Sequence, residues 1–520
     1  MSTTTDNTVV TLEPNTNQAR GIADFAISFI RDAVGEPSSD VLERATMFHT
    51  DSVLCALSAI AMGTNAPLVL RNEAMEYPCD SGATIFGCPT KLRAEKAILA
   101  NSAAAREWDS NGTNFGYNAA LGHVAGEFGH NDFYPVPIAA AQMEGLDGAA
   151  ALRGMICLDE IRGRLAEVFS LKSYKIDHVV HGAIASAAVY GAMRGATPEQ
   201  IESAIGMFVA HYIPWRAIRA GKQLSDSKGA SAAISTEAAI LCMNRSMNGF
   251  IGPADIFRNP EAIWRQFEPT DGDSPFRLVL SHSGDDFAVM GMHFKLGLYE
   301  HQSAGALQGL IDLIHANPDL LANPDSIRKI RITAYEPAFG IIGDPAKRDP
   351  RTRQSADHSM LYIVSTMLRK AIEKAQQAGS GRIASSTDET WKLLMLAPND
   401  YDSTAIFNDQ TRSLMELVEF EHGGDEYDRN YPDGIPTSIS IETSSGDLHE
   451  SGMVMYPAGH ARNTEADLAG ILEHKALLLG GIAMDDPAPL VQTLENLGSL
   501  DAGQLAGLWD FTLSDHGRFE

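Results

Sequence analysis

The sequence predicts a mainly α protein made of an all-helical bundle with a smaller, inserted α+β lid domain. Alanine-rich segments with apolar residues at helical spacing fill residues 20–287. Alternation of apolar and polar residues, which is typical of strands, appears only in residues 288–458. Helical spacing returns in residues 459–520, and the 520-residue chain exceeds the size of one ordinary hydrophobic core. The tail is therefore expected to pack back on the bundle, so that the lid is an insertion.

The first elements are predicted from helix start and stop signals. Residues 1–19 are rich in Thr and Asn and are predicted to be disordered. A helical pattern follows from Gly21 to Met62, with an N-cap at Ser38. A capping box that starts at Thr197, with proline in the first turn, begins a later helix. Further helices of the bundle are predicted at 91–106, 135–145, 147–170, 178–194, 198–213 and 228–246.

The predicted lid combines strands with helices. Residues 326–335 and 438–443 alternate as strands do, and the second strand continues through a Ser-Ser-Gly-Asp turn into residues 448–455. This arrangement is typical of a β-hairpin. Helices are predicted in the lid at 300–316, 357–377 and 408–420, and in the tail at 465–479, 488–497 and 501–507.

The charge balance excludes two classes of partner. The chain has 40 basic and 67 acidic residues, which give a net charge of −27. A surface of that sign repels nucleic acids and anionic membranes, so we predict neither as a partner. If the substrate is an anion, its site must be a local basic pocket that works against the field of the whole protein.

The sequence lacks signs of export, membrane insertion or a metal cluster. No window of about 18 apolar residues occurs, and the N-terminal segment resembles neither a secretory signal nor a mitochondrial presequence. The five cysteines include no Cys-x-x-Cys pair, which argues against zinc or an iron–sulfur cluster and favours a reducing compartment. We therefore predict a cytoplasmic protein that uses no metal or other cofactor.

One stretch mixes acids and histidines with large aromatic residues. It begins at Arg106 and contains Asp109, His123, Glu127 and His130 among Trp, Phe and Tyr. Aromatic rings favour burial, and buried Asp and His need partners and acquire shifted pKa values. The stretch therefore predicts an acid–base site. The alternative is a buried polar turn that caps two helices.

Basic residues elsewhere occupy unusual positions. His178 stands at the head of an alanine helix, whose electropositive start favours an anion, although it is alternatively an ordinary helix-start residue. Lys228 enters another alanine-rich helix and is either packed there or solvated. Lys295 lies in apolar sequence six residues before His301, so we expect it to be buried.

Several common catalytic motifs are absent. No phosphate loop, His-Glu-x-x-His or Gly-x-Ser-x-Gly motif occurs. The remaining set of Asp, His, Lys and Thr, without metal or nucleotide, suits abstraction of a proton beside a carboxylate. Elimination or decarboxylation would then follow.

Four long motifs resemble the MmgE/PrpD family. They are Arg106–Thr113, Gly126–Asp132, Asp428–Ile439 and Tyr456–His460, and the resemblance spans residues 20–475. It implies an all-α domain with an α+β lid, usually in a homodimer. The activity that it implies is the metal-independent loss of water from 2-methylcitrate, giving 2-methyl-cis-aconitate in propionate catabolism. Citrate and cis-aconitate are further candidate substrates.

The resemblance also implies a set of functional residues. The family's positions carry over onto Asp109, Thr113, His130, His178, Lys228, Lys295 and His301; the spacing after His178 is shorter here than in decarboxylase relatives. We expect the lysines and helix starts to hold three carboxylates, together with Arg216 or Arg219. One of Asp109, His130 and His178 would remove the proton, and another would protonate the departing hydroxyl group.

Two other functions stay open. The same fold and much of the site would serve the decarboxylation of cis-aconitate, although the Glu-Phe-Gly-His-Asn-Asp run looks more like that of the dehydratases. A non-catalytic helical protein would bind a tricarboxylate without turnover. In each case the predicted partner is a small-molecule tricarboxylate.

Overall fold

Helices dominate the computed structural model, which describes residues 8–119, 129–219 and 223–519. The predicted mainly α class is therefore confirmed. The helices of the first half are α1 (Gln18–Ile30), α2 (Ser39–Ala61), α3 (Asn65–Met75), α4 (Ala94–Glu107), α5 (Pro135–Glu144), α6 (Gly148–Val168), α7 (Val179–Met193), α8 (Pro198–His211), α9 (Asp226–Gly229), α10 (Ser231–Met247) and α11 (Ile263–Phe267).

The alanine-rich helices form the core of this half. Every residue of α7 is buried, and α7 packs against α6, α8 and α10. Small side chains allow neighbouring helices to approach closely, which explains how one helix can be covered on all sides. Helix α4 packs in the same way against α2, α3 and α10. The Arg106–Thr113 motif therefore leaves a tightly packed helix after Glu107 and continues as the segment Trp108–Thr113.

Two helix starts predicted from capping signals are confirmed, and one predicted from an alanine-rich pattern is corrected. The Ser38 hydroxyl accepts a hydrogen bond from the Val41 amide at the start of α2. The capping box at Thr197 is present at the start of α8. Helix α4 starts at Ala94 rather than at Lys91, because residues 88–92 pair as a strand instead.

Two small sheets correct the expectations for the first half. Strand β1 (Val9–Leu12) pairs antiparallel with β4 (Leu278–Ser281), and β2 (Pro78–Ile85) pairs with β3 (Cys88–Leu92). The prediction that residues 1–19 are disordered is wrong for residues 8–19, because β1 satisfies its backbone groups on β4 and Asn17 caps α1. Residues 1–7 lie outside the described residues. The first half is also not purely helical.

A four-stranded sheet lies in the second half, in the spatial order β6-β5-β7-β8. Its strands are β5 (Ile327–Ala334), β6 (Val418–His422), β7 (Thr437–Thr443) and β8 (Leu448–Glu450). Strand β5 pairs antiparallel with β7 and parallel with β6. The helix predicted at 408–420 therefore ends early, because Val418 begins a strand that pairs with Ile330.

Helices surround this sheet and follow it to the end of the chain. The helices of the second half are α12 (Ala304–Ala316), α13 (Asp319–Ala322), α14 (Glu336–Ile342), α15 (Arg353–Ala356), α16 (Met360–Ala378), α17 (Thr387–Leu394), α18 (Ser403–Ile406), α19 (Asp409–Glu416), α20 (Asp425–Asp428), α21 (Leu468–Ala483), α22 (Ala488–Glu495) and α23 (Ala502–Ala506). Helix α21 packs on α2, and α23 packs on α5. These contacts are those expected of a tail that returns to the bundle, while the domain boundaries at 288 and 458 stay predictions.

Length and apolar character decide whether a helix could cross a membrane. Among the described helices, none is alone both long and apolar enough to cross a membrane. Helices α2 and α3 meet the criterion only as a pair, and this pair is bent by 88°.

Candidate active site

The Trp108–Thr113 motif is held inside the protein by pairing with a segment from the second half of the chain. The Tyr299 amide donates to the Asp109 carbonyl oxygen over 3.0 Å. Thr113 and His293 exchange two backbone hydrogen bonds, each of 2.9 Å. The Trp108 indole donates to the Ser58 hydroxyl over 3.0 Å. Because its backbone groups are satisfied in this way, a polar motif can lie in the interior.

The structure brings all nine residues predicted for the site to the wall of one cavity. They are Asp109, Thr113, His130, His178, Arg216, Arg219, Lys228, Lys295 and His301. The cavity holds about 590 Å³ of empty space, part of it open to solvent. His123 and Glu127 lie outside the described residues.

The wall of this cavity is strongly basic. Its charged residues comprise six basic side chains, from Arg106, Arg216, Arg219, Lys228, Lys295 and Lys347, and two acidic ones, from Asp109 and Glu300. The whole chain carries a net charge of −27. The cavity is thus the local basic pocket that an anionic ligand would require in such a protein.

Asp109 is the anionic centre of the cavity and is 2% exposed. Its Oδ2 atom lies 3.0 Å from Lys228 Nζ, 3.1 Å from His358 Nε2 and 3.3 Å from Arg106 Nη2. Its Oδ1 atom accepts a hydrogen bond from Lys295 Nζ. Burial alone would raise the pKa of Asp109, but the nearby cations outweigh it and hold the pKa well below its usual value. Asp109 is therefore ionised at neutral pH.

The two lysines are buried cations that share this carboxylate. Burial lowers the pKa of Lys228 to about 8, although Asp109 opposes the shift. Burial also lowers the pKa of Lys295, which is completely buried. A bound anion would favour the charged form of both lysines. Lys228, with a pKa of about 8, can also exchange a proton near neutral pH.

His130 has a defined tautomer because its two neighbours have fixed roles. Its Nδ1 atom lies 3.2 Å from the Gly112 carbonyl oxygen, which can only accept, so Nδ1 carries the proton. Its Nε2 atom lies 3.2 Å from Arg106 Nη2, which can only donate. Burial, followed by Arg106, lowers the pKa of His130 well below its usual value. The ring is neutral, with its lone pair directed at Arg106.

His178 stands at the start of α7, as the sequence predicts, beside an arginine–aspartate pair. Asp177 forms two hydrogen bonds with the Arg219 guanidinium group. Burial lowers the pKa of His178 well below its usual value, although Asp177 opposes the shift. The His178 ring packs edge-on against that of His130, with ring centres 5.6 Å apart. The site thus contains two adjacent neutral imidazoles.

His358 is a site residue that the sequence analysis missed. Its Nδ1 atom lies 2.5 Å from Asp357 Oδ1, and its Nε2 atom lies 3.1 Å from Asp109 Oδ2. Burial, followed by Lys228, lowers the pKa of His358 to about 3, so the neutral ring has one N–H for two carboxylates. The Asp357-His358 pair, just before a helix, is the signal that could have indicated it.

Other missed residues line the cavity or support it from behind. Arg106, Glu300 and Lys347 line it, and Arg106 belongs to a motif that the sequence analysis had already singled out. Lys475, from the tail helix α21, is buried behind the site and donates to the carbonyl oxygens of Ser110 and Lys295 over 2.6 and 2.8 Å.

The site also contains a group of atoms with metal-ligand geometry. Asp109, Asp357 and His358 each offer one ligand atom, and these atoms lie within 4.8 Å of one another. The Lys228 ammonium group already lies 3.0 Å from Asp109 Oδ2 and 3.3 Å from His358 Nδ1. A positive charge at that position opposes a divalent cation. Metal-independent chemistry stays a prediction.

Comparisons with known proteins point to one family. The MmgE/PrpD N-terminal domain matches residues 20–274, and the MmgE/PrpD C-terminal domain matches residues 299–395. Proteins named 2-methylcitrate dehydratase are among the similar ones. The mitochondrial one of Yarrowia lipolytica is 24% identical over 491 residues, which cover 90% of this chain and 85% of that protein.

Two further relatives carry the same name. The 2-methylcitrate dehydratase of Escherichia coli O157:H7 is 23% identical over 77% of this chain and 81% of its own length. The probable 2-methylcitrate dehydratase of Saccharomyces cerevisiae is 22% identical over 81% of this chain and 78% of its own length. With both family domains matched in order, this chain belongs to the MmgE/PrpD family.

Proposed function

We propose that this protein is a hydro-lyase that eliminates water from 2-methylcitrate and forms 2-methyl-cis-aconitate. The observation that carries the proposal is the basic cavity around Asp109, Lys228 and Lys295, which also holds neutral histidines. The names of the relatives support the same reaction. We further propose a cytoplasmic homodimer, and light scattering in solution tests the dimer.

The basic residues suit a ligand with three carboxylates. Lys228 and Lys295 both form ion pairs with Asp109. Arg219 forms an ion pair with Asp177. Charged donors that are fixed before the ligand arrives bind anions at a low cost of reorganisation. Thr113 lines the same cavity and provides a hydroxyl group.

The chemical step requires stabilisation of negative charge. Removal of a proton beside a carboxylate places charge on that carboxylate, and preorganised cations lower the energy of this state. His130 and His178 are neutral and can accept the proton; His130 does so once Arg106 turns from its Nε2 atom to a substrate carboxylate. Asp109 is then a fixed anion that positions two lysines, because basic groups engage both of its oxygens.

One assay separates the proposed function from its alternatives. Chelator-treated protein is mixed with 2-methylcitrate, citrate and cis-aconitate in parallel, while ultraviolet absorbance follows the new alkene and a trap collects carbon dioxide. The proposal expects alkene formation from 2-methylcitrate without carbon dioxide. Carbon dioxide from cis-aconitate would instead show a decarboxylase. Thermal stabilisation by the tricarboxylates without any turnover would show a binding protein.

A further inference from the structure

Glu300 differs from the other acid of the cavity in its surroundings. Its side chain lines the cavity and is only 7% exposed. Its Oε2 atom accepts one hydrogen bond, of 2.8 Å, from the Gln302 amide. Across the described part of the chain, no basic side chain forms an ion pair with it. Asp109, by contrast, has both oxygens engaged by basic groups.

The groups that face Glu300 favour its protonated form. Burial is the largest influence on the pKa of Glu300, and Asp109 adds to it. The Gln302 amide, Lys295 and Lys347 oppose them, and the resulting pKa is about 7. Tyr335 and His301 are near and neutral, since burial raises the pKa of Tyr335 and lowers that of His301. A bound tricarboxylate would add negative charge and raise the pKa of Glu300 further. In the complex, Glu300 would thus hold a proton at neutral pH.

We propose that Glu300 is the catalytic acid that delivers a proton to the departing hydroxyl group, an inference that rests on the proposed function. A neutral imidazole of the cavity takes the proton from the carbon beside a carboxylate. The electron pair of that C–H bond is first held as a carbanion that the cations of the cavity stabilise. It then forms the new C=C bond as the neighbouring C–O bond breaks. The departing oxygen takes the Glu300 proton and leaves as water. Glu300 becomes a carboxylate and regains a proton from the imidazolium or from solvent.

The other groups of the cavity fit this role less well. Asp109 has no proton to donate at neutral pH. Lys228 carries protons, but Asp109 and His358 engage its ammonium group. His301 lines the same cavity, and neither of its ring nitrogens has a hydrogen-bond partner among the described residues. Its pKa lies well below the usual value, so the ring is neutral and holds no acidic imidazolium proton at neutral pH.

The Glu300→Gln substitution tests the role, because it keeps the size of the side chain and removes the transferable proton. We expect kcat for 2-methylcitrate to fall about 10²- to 10⁴-fold with little change in KM. Exchange of the substrate's abstractable proton with solvent deuterium, followed by NMR, should persist. An analogue with fluorine in place of the hydroxyl group needs no proton donor, so Glu300→Gln should convert it within a few-fold of the wild-type rate.

Two controls complete the experiment. Glu336→Gln, at an exposed acid of α14, should behave as wild type, and circular dichroism verifies the fold of each variant. For the unmodified enzyme, kcat should decline as the pH rises above neutrality, since Glu300 must keep its proton. This pH profile is measured on the unmodified enzyme alone.

Each outcome is decisive. Three results would overturn the assignment while the dehydratase function stands. The first is a wild-type kcat in Glu300→Gln, and the second is a kcat of the unmodified enzyme that does not change at alkaline pH. The third is an equal loss of kcat in Glu300→Gln with the hydroxyl and the fluoro substrate. A wild-type enzyme that converts no tricarboxylate would refute the proposed function and the assignment together.

Discussion

Asp109 shows how one carboxylate can hold two cations in place. Lys228 and Lys295 engage different oxygens of the same carboxylate, so their ammonium groups are held at a fixed separation on the cavity wall. Removing one of the two leaves the carboxylate with fewer partners and the substrate with one cation less. The Asp109 carboxylate thus determines where the two ammonium groups stand.

Lys228→Ala should lower kcat/KM for 2-methylcitrate by at least ~10²-fold, because a preorganised cation at the developing charge is lost. The fold should survive, since Asp109 retains Lys295 and Arg106. Steady-state kinetics with circular dichroism measures both effects. Lys91→Ala, at an exposed lysine of β3, is the matched control and should change neither. Wild-type turnover in Lys228→Ala would remove Lys228 from the mechanism.

Binding of a tricarboxylate should weaken as the pH rises through about 8, the pKa of Lys228. The lysine is charged below that pKa and neutral above it, so the attraction to a carboxylate is present at lower pH and lost at higher pH. Calorimetric titration with an unreactive tricarboxylate at several pH values gives the dissociation constant. Lys228→Met should bind more weakly and lose the part of this dependence that is centred near pH 8, while the part due to Glu300 stays. An identical pH dependence in that variant would contradict the assignment.

The candidate site could be predicted from the sequence where the residues stand in an unusual local context. His178 begins a helix, Lys295 lies in apolar sequence, and Asp109 lies in an aromatic motif. Their roles stay predictions, although the structure places them on one cavity. Glu300 could not be found in this way, and His358 has only the adjacent Asp357 as a local signal. Each belongs to the site through contacts with chain segments that are distant in sequence.

At the scale of elements, the backbone between residues 293 and 301 connects the two halves of the chain. Its residue His293 forms backbone hydrogen bonds with Thr113. Its Lys295 carbonyl oxygen accepts a hydrogen bond from the buried Lys475 of α21. Lys475 also forms an ion pair of 2.6 Å with Asp51 of α2. A single ammonium group therefore joins the tail, the bundle and the floor of the cavity.

Lys475→Met should destabilise the protein by about 3–5 kcal/mol, because it leaves the buried Asp51 carboxylate and two carbonyl oxygens without their donor. Activity should fall as well, since the backbone at Lys295 loses its support. Urea unfolding followed by fluorescence measures the first effect. Glu473→Gln, at an exposed position of the same helix, serves as the control. A loss below ~1 kcal/mol would show that water or Asp51 protonation replaces the lysine.

Element boundaries could be predicted where local chemistry determines them. The capping box at Thr197 is correct to the residue, and β5 and β7 follow their alternating pattern. The errors occur where pairing with a distant strand decides the structure. Residues 9–12 form a strand because they pair with residues 278–281. Residues 418–422 form a strand instead of continuing the predicted helix, because they pair with β5.

At the scale of the whole molecule, the acidic surface and the basic cavity act on an anionic substrate in opposite directions. The net charge of −27 repels a trianion at long range, whereas the buried cations attract it at short range. Salt screens the first effect more than the second, since exposed charges are screened and buried ones are largely protected.

Raising the ionic strength from low values should therefore increase kcat/KM for the tricarboxylate before any decrease sets in. The Debye length falls from ~30 Å at 0.01 M to ~8 Å at 0.15 M salt, so the repulsive field loses its reach first. Steady-state kinetics at constant pH with a weakly binding salt measures this effect. A steep, continuous fall of kcat/KM from the lowest salt upwards would show that attraction also dominates at long range.

The support from Lys475 has a consequence for biosynthesis. The ribosome makes α21 only after it has made all nine predicted residues of the cavity. A nascent polypeptide that stops before residue 468 carries the full set of reactive side chains but not the ammonium group beneath the Lys295 backbone. Such a truncated product would lack the buried donor that holds the backbone at Ser110 and Lys295.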